Sequence, residues 1–523
     1  MFQVQKLEGM AVGLVRVLGI ALFALLCVTS LVFTRFFHGE YEVEIPFNQI
    51  DFFLLTVLGT VILGALVLWL GSRLTSREDR AEKNLKILLF LVLLWTLAAG
   101  FLWNAWAVST PGWDQYMVYD GARGFLRGDY SALEYGSYLY CYPHQLGLAS
   151  WEALVLRICG ADHYQAIQSA NVLWAALCVY AGYRITRFLM DSARAAAVYL
   201  LLMASCFQLF IYTAYIYNDV MALSLCMTAI WQFLRWMRGE KKSGAVLTVL
   251  FTGAAVLIRN NSVVVMIAFL CVLGVKTLAK KRWQYLVWAA VLLLFCLGSG
   301  AALRQYYEQK ADISFGESSP TILWITMAMQ EGYMEAGWYN DYVTDVYNDM
   351  YDYDADAAAE KGFADAAARI EEFLEEPLYA LDFYSRKFTS QWTEPTYGCF
   401  IMTYATENER TPWAESLYTG WPNRILQKYM DSFQLLIYGL TFLFLTERRR
   451  RDGTEGLESY VLLIVVIGGV LFHQIWEAKS RYVFPYFIMM FPMAATGLAG
   501  LPPRIQGFLA ACVRRMRPQA DKR

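Results

Sequence analysis

Apolar runs long enough to cross a bilayer recur along almost the whole chain. They lie at 11–34, 51–71, 86–107, 164–189, 194–216, 219–238, 244–258, 261–275, 283–303, 428–446, 458–475 and 482–500. In lipid every backbone amide must find its partner within the protein, and a helix does this with about 20 apolar residues. The pattern therefore predicts an all-α polytopic membrane protein with about 12 transmembrane helices. The runs 244–258 and 261–275 are short and read as a broken or tilted pair. Composition agrees: of 523 residues, 57% are apolar and 17% charged, which excludes an ordinary soluble domain. No nucleic-acid partner is expected.

The charges segregate by side. Arg73, Arg77, Arg80, Lys83 and Lys86 fall in one connection, and Arg184, Arg187 and Arg194 in the next of the same parity. Arg235, Arg238, Lys241 and Lys242 come next, then Lys276, Lys280, Lys281 and Arg282, then 448–451, then Arg514, Arg515 and Arg517. The positive-inside rule puts these in the cytoplasm together with both termini. The run after Lys6 and Arg16 is too long for a cleaved signal core and reads as a first span. The expected location is an integral protein of the plasma membrane, surrounded by membrane lipids. The chain divides into three regions: a membrane part over 1–303, an extracytoplasmic helical segment over 304–427, and C-terminal helices with a basic tail over 428–523. Within 304–427, helices are expected at 357–375 and 378–391, and Trp324, Trp338, Trp392, Trp413 and Trp421 suit a membrane interface.

The suspicious polar residues collect on the extracytoplasmic side. Asp114, in Pro111-Gly112-Trp113-Asp114-Gln115, stands just past a long apolar run, where a carboxylate is costly. It reads as a general base, as a helix cap, or as a loop carboxylate paired with Arg123 or Arg127. Asp219, after Asn218, reads as a helix cap or as a second acid of the same space. Glu477, Lys479, Arg481 and Tyr482 crowd the last turn. Arg481 suits forked binding of phosphate oxygens, and it also stands i,i+4 from Glu477 as a helical ion pair would. Tyr142 and His144 share the loop of Asp114, and Arg259 marks a tight turn before Asn260-Asn261. Asp352-Tyr353-Asp354-Ala355-Asp356 begins like a calcium loop but has Ala357 where glycine is needed and Phe363 where glutamate is needed. No metal-ligand spacing appears; a divalent ion held by the outer acids stays open, and no other cofactor is indicated. Cys141 and Cys399 lie outside the spans, and their pairing stays open as well.

Taken in order, these motifs resemble the GT-C superfamily of integral-membrane glycosyltransferases. They are most similar to glycosyltransferase family 39, which includes protein O-mannosyltransferases and lipid A aminoarabinose transferases. Trp113-Asp114-Gln115 takes the place of an early Asp-acid pair, with Gln115 where glutamate is usual. Tyr142-Pro143-His144 resembles a Tyr-Pro-Pro stretch, Arg259-Asn260-Asn261 an Arg-Pro-Asn turn, and Glu477, Arg481, Tyr482 and Pro485 a Glu-x-x-x-Arg-Tyr-x-x-Pro turn. The resemblance spans most of 86–500, and the two runs before residue 72 look like an addition to it. It implies a polyprenyl-phosphate-linked sugar donor and a hydroxyl acceptor on protein, glycan or lipid. Asp114 and Asp219 would be the catalytic acids. Gln115, Tyr142, His144, Arg259, Glu477, Lys479, Arg481 and Tyr482 would bind substrate, and attack would invert the anomeric carbon. Two other classes remain open. A lipid-linked-oligosaccharide flippase should show internal repeats and midplane charges. A polysaccharide polymerase or ligase should lean on outer Arg and His.

Overall fold

The computed structural model describes residues 2–37, 46–49, 53–241, 243–315, 318–404, 410–447 and 456–501. Lys242, the basic cluster 448–451 and the tail arginines lie outside them. Each apolar run of the chain is helical, and the protein is an all-α polytopic membrane protein. Nine helices among the described residues are long and apolar enough to span, against the twelve expected. The difference is physical. Tyr164–Leu189 has the length but carries too many polar side chains. Ala193–Ala204 and Phe207–Ala214 are two helices set at 53° across a short break, neither of them long enough to span alone. Ser243–Ile258 is only 16 residues long.

Helix ends overrun the apolar runs because polar turns continue the same backbone hydrogen bonding. Gln284–Ala311 passes the expected boundary at 303, and Trp421–Glu447 begins before 428. Between them, Ala355–Glu375 and Pro377–Trp392 match the two expected helices. Asp354 caps the first by accepting from the Ala357 amide at 3.0 Å, so the calcium-loop look-alike is a helix start. The two additional N-terminal helices are joined by a hairpin, Thr34–Phe37 pairing antiparallel with Pro46–Gln49.

Two sequence expectations change here. Trp338 and Trp392 are not interfacial; they are fully buried, and the Trp338 indole N–H donates to Ser390 at 2.9 Å. Both belong to the main buried core, and the Trp392 ring lies 6.3 Å from that of Tyr486. Lys276 is not a loop cation. It lies within Val263–Lys280, buried between Glu8 at 2.9 Å and Glu458 at 2.6 Å. Cys141 and Cys399 are both buried free thiols.

The helix Leu146–Cys159 continues the loop that carries Tyr142 and His144, and it packs directly on Ser243–Ile258. Contact is made through Gly147, where any Cβ would run into the Leu257 carbonyl. Gly147→Ala must push the two helices apart and is expected to cost about 1–3 kcal/mol. An unchanged midpoint in thermal unfolding would contradict this packing.

Candidate functional site

The ends of several helices converge on one cavity of about 670 Å³. Its lining includes Asp114, Tyr142, His144, Arg259, Glu477, Lys479, Arg481 and Tyr482, which are separated by up to 368 positions in sequence. A volume of this size suits a sugar-phosphate head group rather than a lone ion.

Asp114 sits in the first turn of Trp113–Arg127, where a carboxylate complements the helix dipole. The residue before it, Trp113, has φ of 47°, a left-handed conformation that costs a bulky side chain about 1–3 kcal/mol. Asp114 is exposed and, among the described residues, has no hydrogen-bond or ion-pair partner. The arginines that could have neutralised it are engaged elsewhere: Arg123 with Asp120 at 3.1 Å and with Asp162, and Arg127 with Asp162 at 3.6 Å. Its charge adds to the burial that raises the Tyr138 and Tyr217 phenols. Those two hydroxyls lie 2.9 Å apart, and Gln145 donates to Tyr217 at 2.6 Å.

Arg481 opens the helix Ser480–Ala499 and is 4% exposed. It donates to the Tyr215 hydroxyl, and its guanidinium lies 5.3 Å from the Tyr215 and Tyr217 ring centres and 5.1 Å from that of Tyr482. No carboxylate lies within ion-pair distance of it among the described residues, and its Nε has no acceptor. A buried cation balanced by aromatic faces keeps most of its capacity for an anion. Lys479 and the N-terminus of the same helix add to the positive potential. Glu477 shares the wall. Burial pushes its carboxyl up to about 7 although Lys479 and Arg481 pull the other way, and the Tyr482 hydroxyl donates to it at 3.2 Å. His144 opens onto the cavity within enclosing protein; burial, aided by Arg259, holds its imidazole down to about 4, so it is neutral at pH 7.

Two of the candidate residues stand behind the wall. Asp219 is 1% exposed and lies 3.1 Å from Arg259. Arg259 also donates to Asn218 at 3.2 Å, and Asn218 holds φ of 68° so that its amide reaches the Ile258 carbonyl. Gln115 is buried, accepts from the Ile216 amide at 3.3 Å and is not part of the cavity lining. Sequence reasoning missed Tyr215 and Tyr217. The signal was present as an alternating Tyr-x-Tyr just before Asn218, but inside an apolar stretch it reads as core. Trp324 and Trp476 also line the cavity, with rings 6.2 Å apart and 10° from parallel. No group of three or more His, Cys, Asp and Glu side chains suited to a metal ion occurs among the described residues.

The family model described as dolichyl-phosphate-mannose-protein mannosyltransferase matches residues 148–298. No curated protein matches the chain in sequence. Among solved structures, an Archaeoglobus fulgidus oligosaccharyltransferase tethered to an acceptor peptide containing the NVT sequon aligns over 84% of this chain, at 14% identity and a TM-score of 0.42. The alignment takes in 54% of that protein, so the present chain spans about half its length. With its mannosyltransferase-like segment and its ordered polar motifs on a helical membrane scaffold, the chain is similar to the integral-membrane glycosyltransferases of the GT-C superfamily.

Proposed function

We propose that this protein transfers a sugar from a polyprenyl-phosphate-linked donor to an acceptor hydroxyl, on the extracytoplasmic side of the plasma membrane. The carrying observation is one cavity that holds a carboxylate, Asp114, and a buried guanidinium, Arg481, neither of which has an ion-pair partner among the described residues. The first is placed to take a proton and the second to receive a phosphate. Asp114 accepts the proton of the acceptor O–H as that oxygen bonds to the anomeric carbon. The bond from that carbon to the phosphate oxygen breaks, and its electron pair leaves with the polyprenyl phosphate. Arg481, with Lys479 and Arg259, stabilises the charge that develops on the leaving group. Attack opposite the phosphate inverts the anomeric centre. Asp219 serves this reaction at one remove, by holding Arg259.

The topology rests on the same charge segregation: both termini lie in the cytoplasm and the cavity faces away from it. The segment 304–427 contributes Ser318, Ser319, Thr321 and Trp324 to the wall and so takes part in choosing a protein, glycan or lipid acceptor.

The test uses purified protein in vesicles with radiolabelled sugars on polyprenyl phosphate, mannose first, and a cell-envelope extract as the acceptor source. Labelled glycosidic product is expected. Movement of donor across the vesicle without product would replace this reading by a transporter. Trp324→Ala is expected to raise the KM for acceptor or donor at least tenfold, because an indole face is lost from the wall. Unchanged values for both would remove that residue from the site.

A further inference from the structure

Lys387 is fully buried on the helix Pro377–Trp392. Among the described residues no carboxylate lies within ion-pair distance of it. Its ammonium donates instead to two main-chain carbonyls, Ala328 at 2.6 Å and Gln474 at 3.0 Å. Both acceptors belong to helix C-termini. Ala328 caps Thr321–Met327, and Gln474 lies in the last turn of Val461–Ile475. Terminal carbonyls lack intrahelical partners and carry the negative end of the helix dipole. One cation thus joins two helix ends that would otherwise repel, which accounts for an ammonium in a place that penalises charge. Burial pulls its pKa down to about 7, and the nearby Glu477 carboxylate acts in the opposite direction.

Both joined helices lead to the wall of the cavity, where their Trp324 and Trp476 rings stack 6.2 Å apart. The first helix carries Thr321 and Trp324; the second leads into Trp476, Glu477, Lys479 and Arg481. A second tie runs parallel to the first, as the Ala478 amide donates to the Gly337 carbonyl at 2.9 Å. Gly337 holds φ of 68°, and a Cβ there would meet the Lys387 stem at 2.8 Å, so glycine leaves the path that the lysine occupies.

We propose that Lys387 is a positioning residue that sets the spacing between the 321–328 wall and the 474–481 turn, and thereby the fit of the donor phosphate against Lys479 and Arg481. This rests on the glycosyltransferase reading. Lys387→Met keeps the length of the stem and removes the cation. In the transfer assay with polyprenyl-phosphate-mannose, its KM for donor is expected to rise at least tenfold while kcat stays within threefold of wild type. A purely structural lysine would lower the yield of folded protein and leave KM unchanged. Lys387→Gln, which keeps one amide donor, is expected to fall between the two. An unchanged donor KM in a folded variant overturns the proposal, and so does failure of both variants to give monodisperse protein, which would assign Lys387 to stability alone. If wild-type protein transfers no sugar, the glycosyltransferase reading itself fails, an outcome distinct from these.

Discussion

Asp114→Asn is expected to lower sugar transfer by about 10²–10⁴-fold, the usual contribution of a positioned general base, while leaving the KM for donor unchanged. The expectation rests on what Asp114 does not do. Its carboxylate is exposed and holds no partner among the described residues, so the amide breaks no ion pair and leaves no buried group unsatisfied. What the amide gives up is the helix-dipole interaction, about 0.3–1 kcal/mol at an exposed first turn. The rate should therefore collapse in a protein with a near-wild-type thermal midpoint. The nearby phenols feel the same charge. Burial chiefly holds Tyr138 and Tyr217 protonated, and the Asp114 charge adds to it, an influence that disappears in the variant. Undiminished transfer by Asp114→Asn would remove it as the base.

Arg481→Met is expected to raise the KM for donor about 10–100-fold, the equivalent of about 1.5–3 kcal/mol for hydrogen bonds to a charged group. Arg481→Lys should restore little of this, because an ammonium lacks the planar fork that grips two phosphate oxygens. The signature that separates binding from scaffolding is stability. Arg481 is buried against three tyrosine rings and has no carboxylate within ion-pair distance among the described residues, so replacing it by an apolar side chain relieves a desolvated charge. The thermal midpoint should hold or rise while donor affinity falls. A variant that loses stability and keeps its donor KM would mark Arg481 as structural.

The periodicity of apolar runs made the helices legible because lipid leaves the backbone no alternative to internal hydrogen bonding. It could not give the number of spans. Whether Tyr164–Leu189 crosses, or whether Ala193–Ala204 and Phe207–Ala214 count as one span, depends on neighbours that shield polar side chains and on a bend at residues 205–206. The interfacial reading of Trp338 and Trp392 failed for a related reason. An indole fits an interface and a core equally well, and only tertiary packing, for Trp392 against Tyr486 far along the chain, chooses between them.

Among the polar residues, type and order alone singled out Asp114, Arg259, Glu477 and Arg481, since a charge next to an apolar run needs a partner or a task. Type could not separate Asp114 from Asp219. Both carboxylates begin helices, but one opens onto the cavity and the other lies behind it, 3.1 Å from Arg259. The sequence by itself determined a helical membrane protein with a cluster of charges at helix ends, because hydrophobicity and charge are local properties of each residue. Tertiary structure alone decided which of those charges are already neutralised and which face a common space, because pairing depends on distances between residues far apart in the chain. That same three-dimensional arrangement brought Lys387, a lysine that no motif marks in the sequence, onto two helix ends at the cavity.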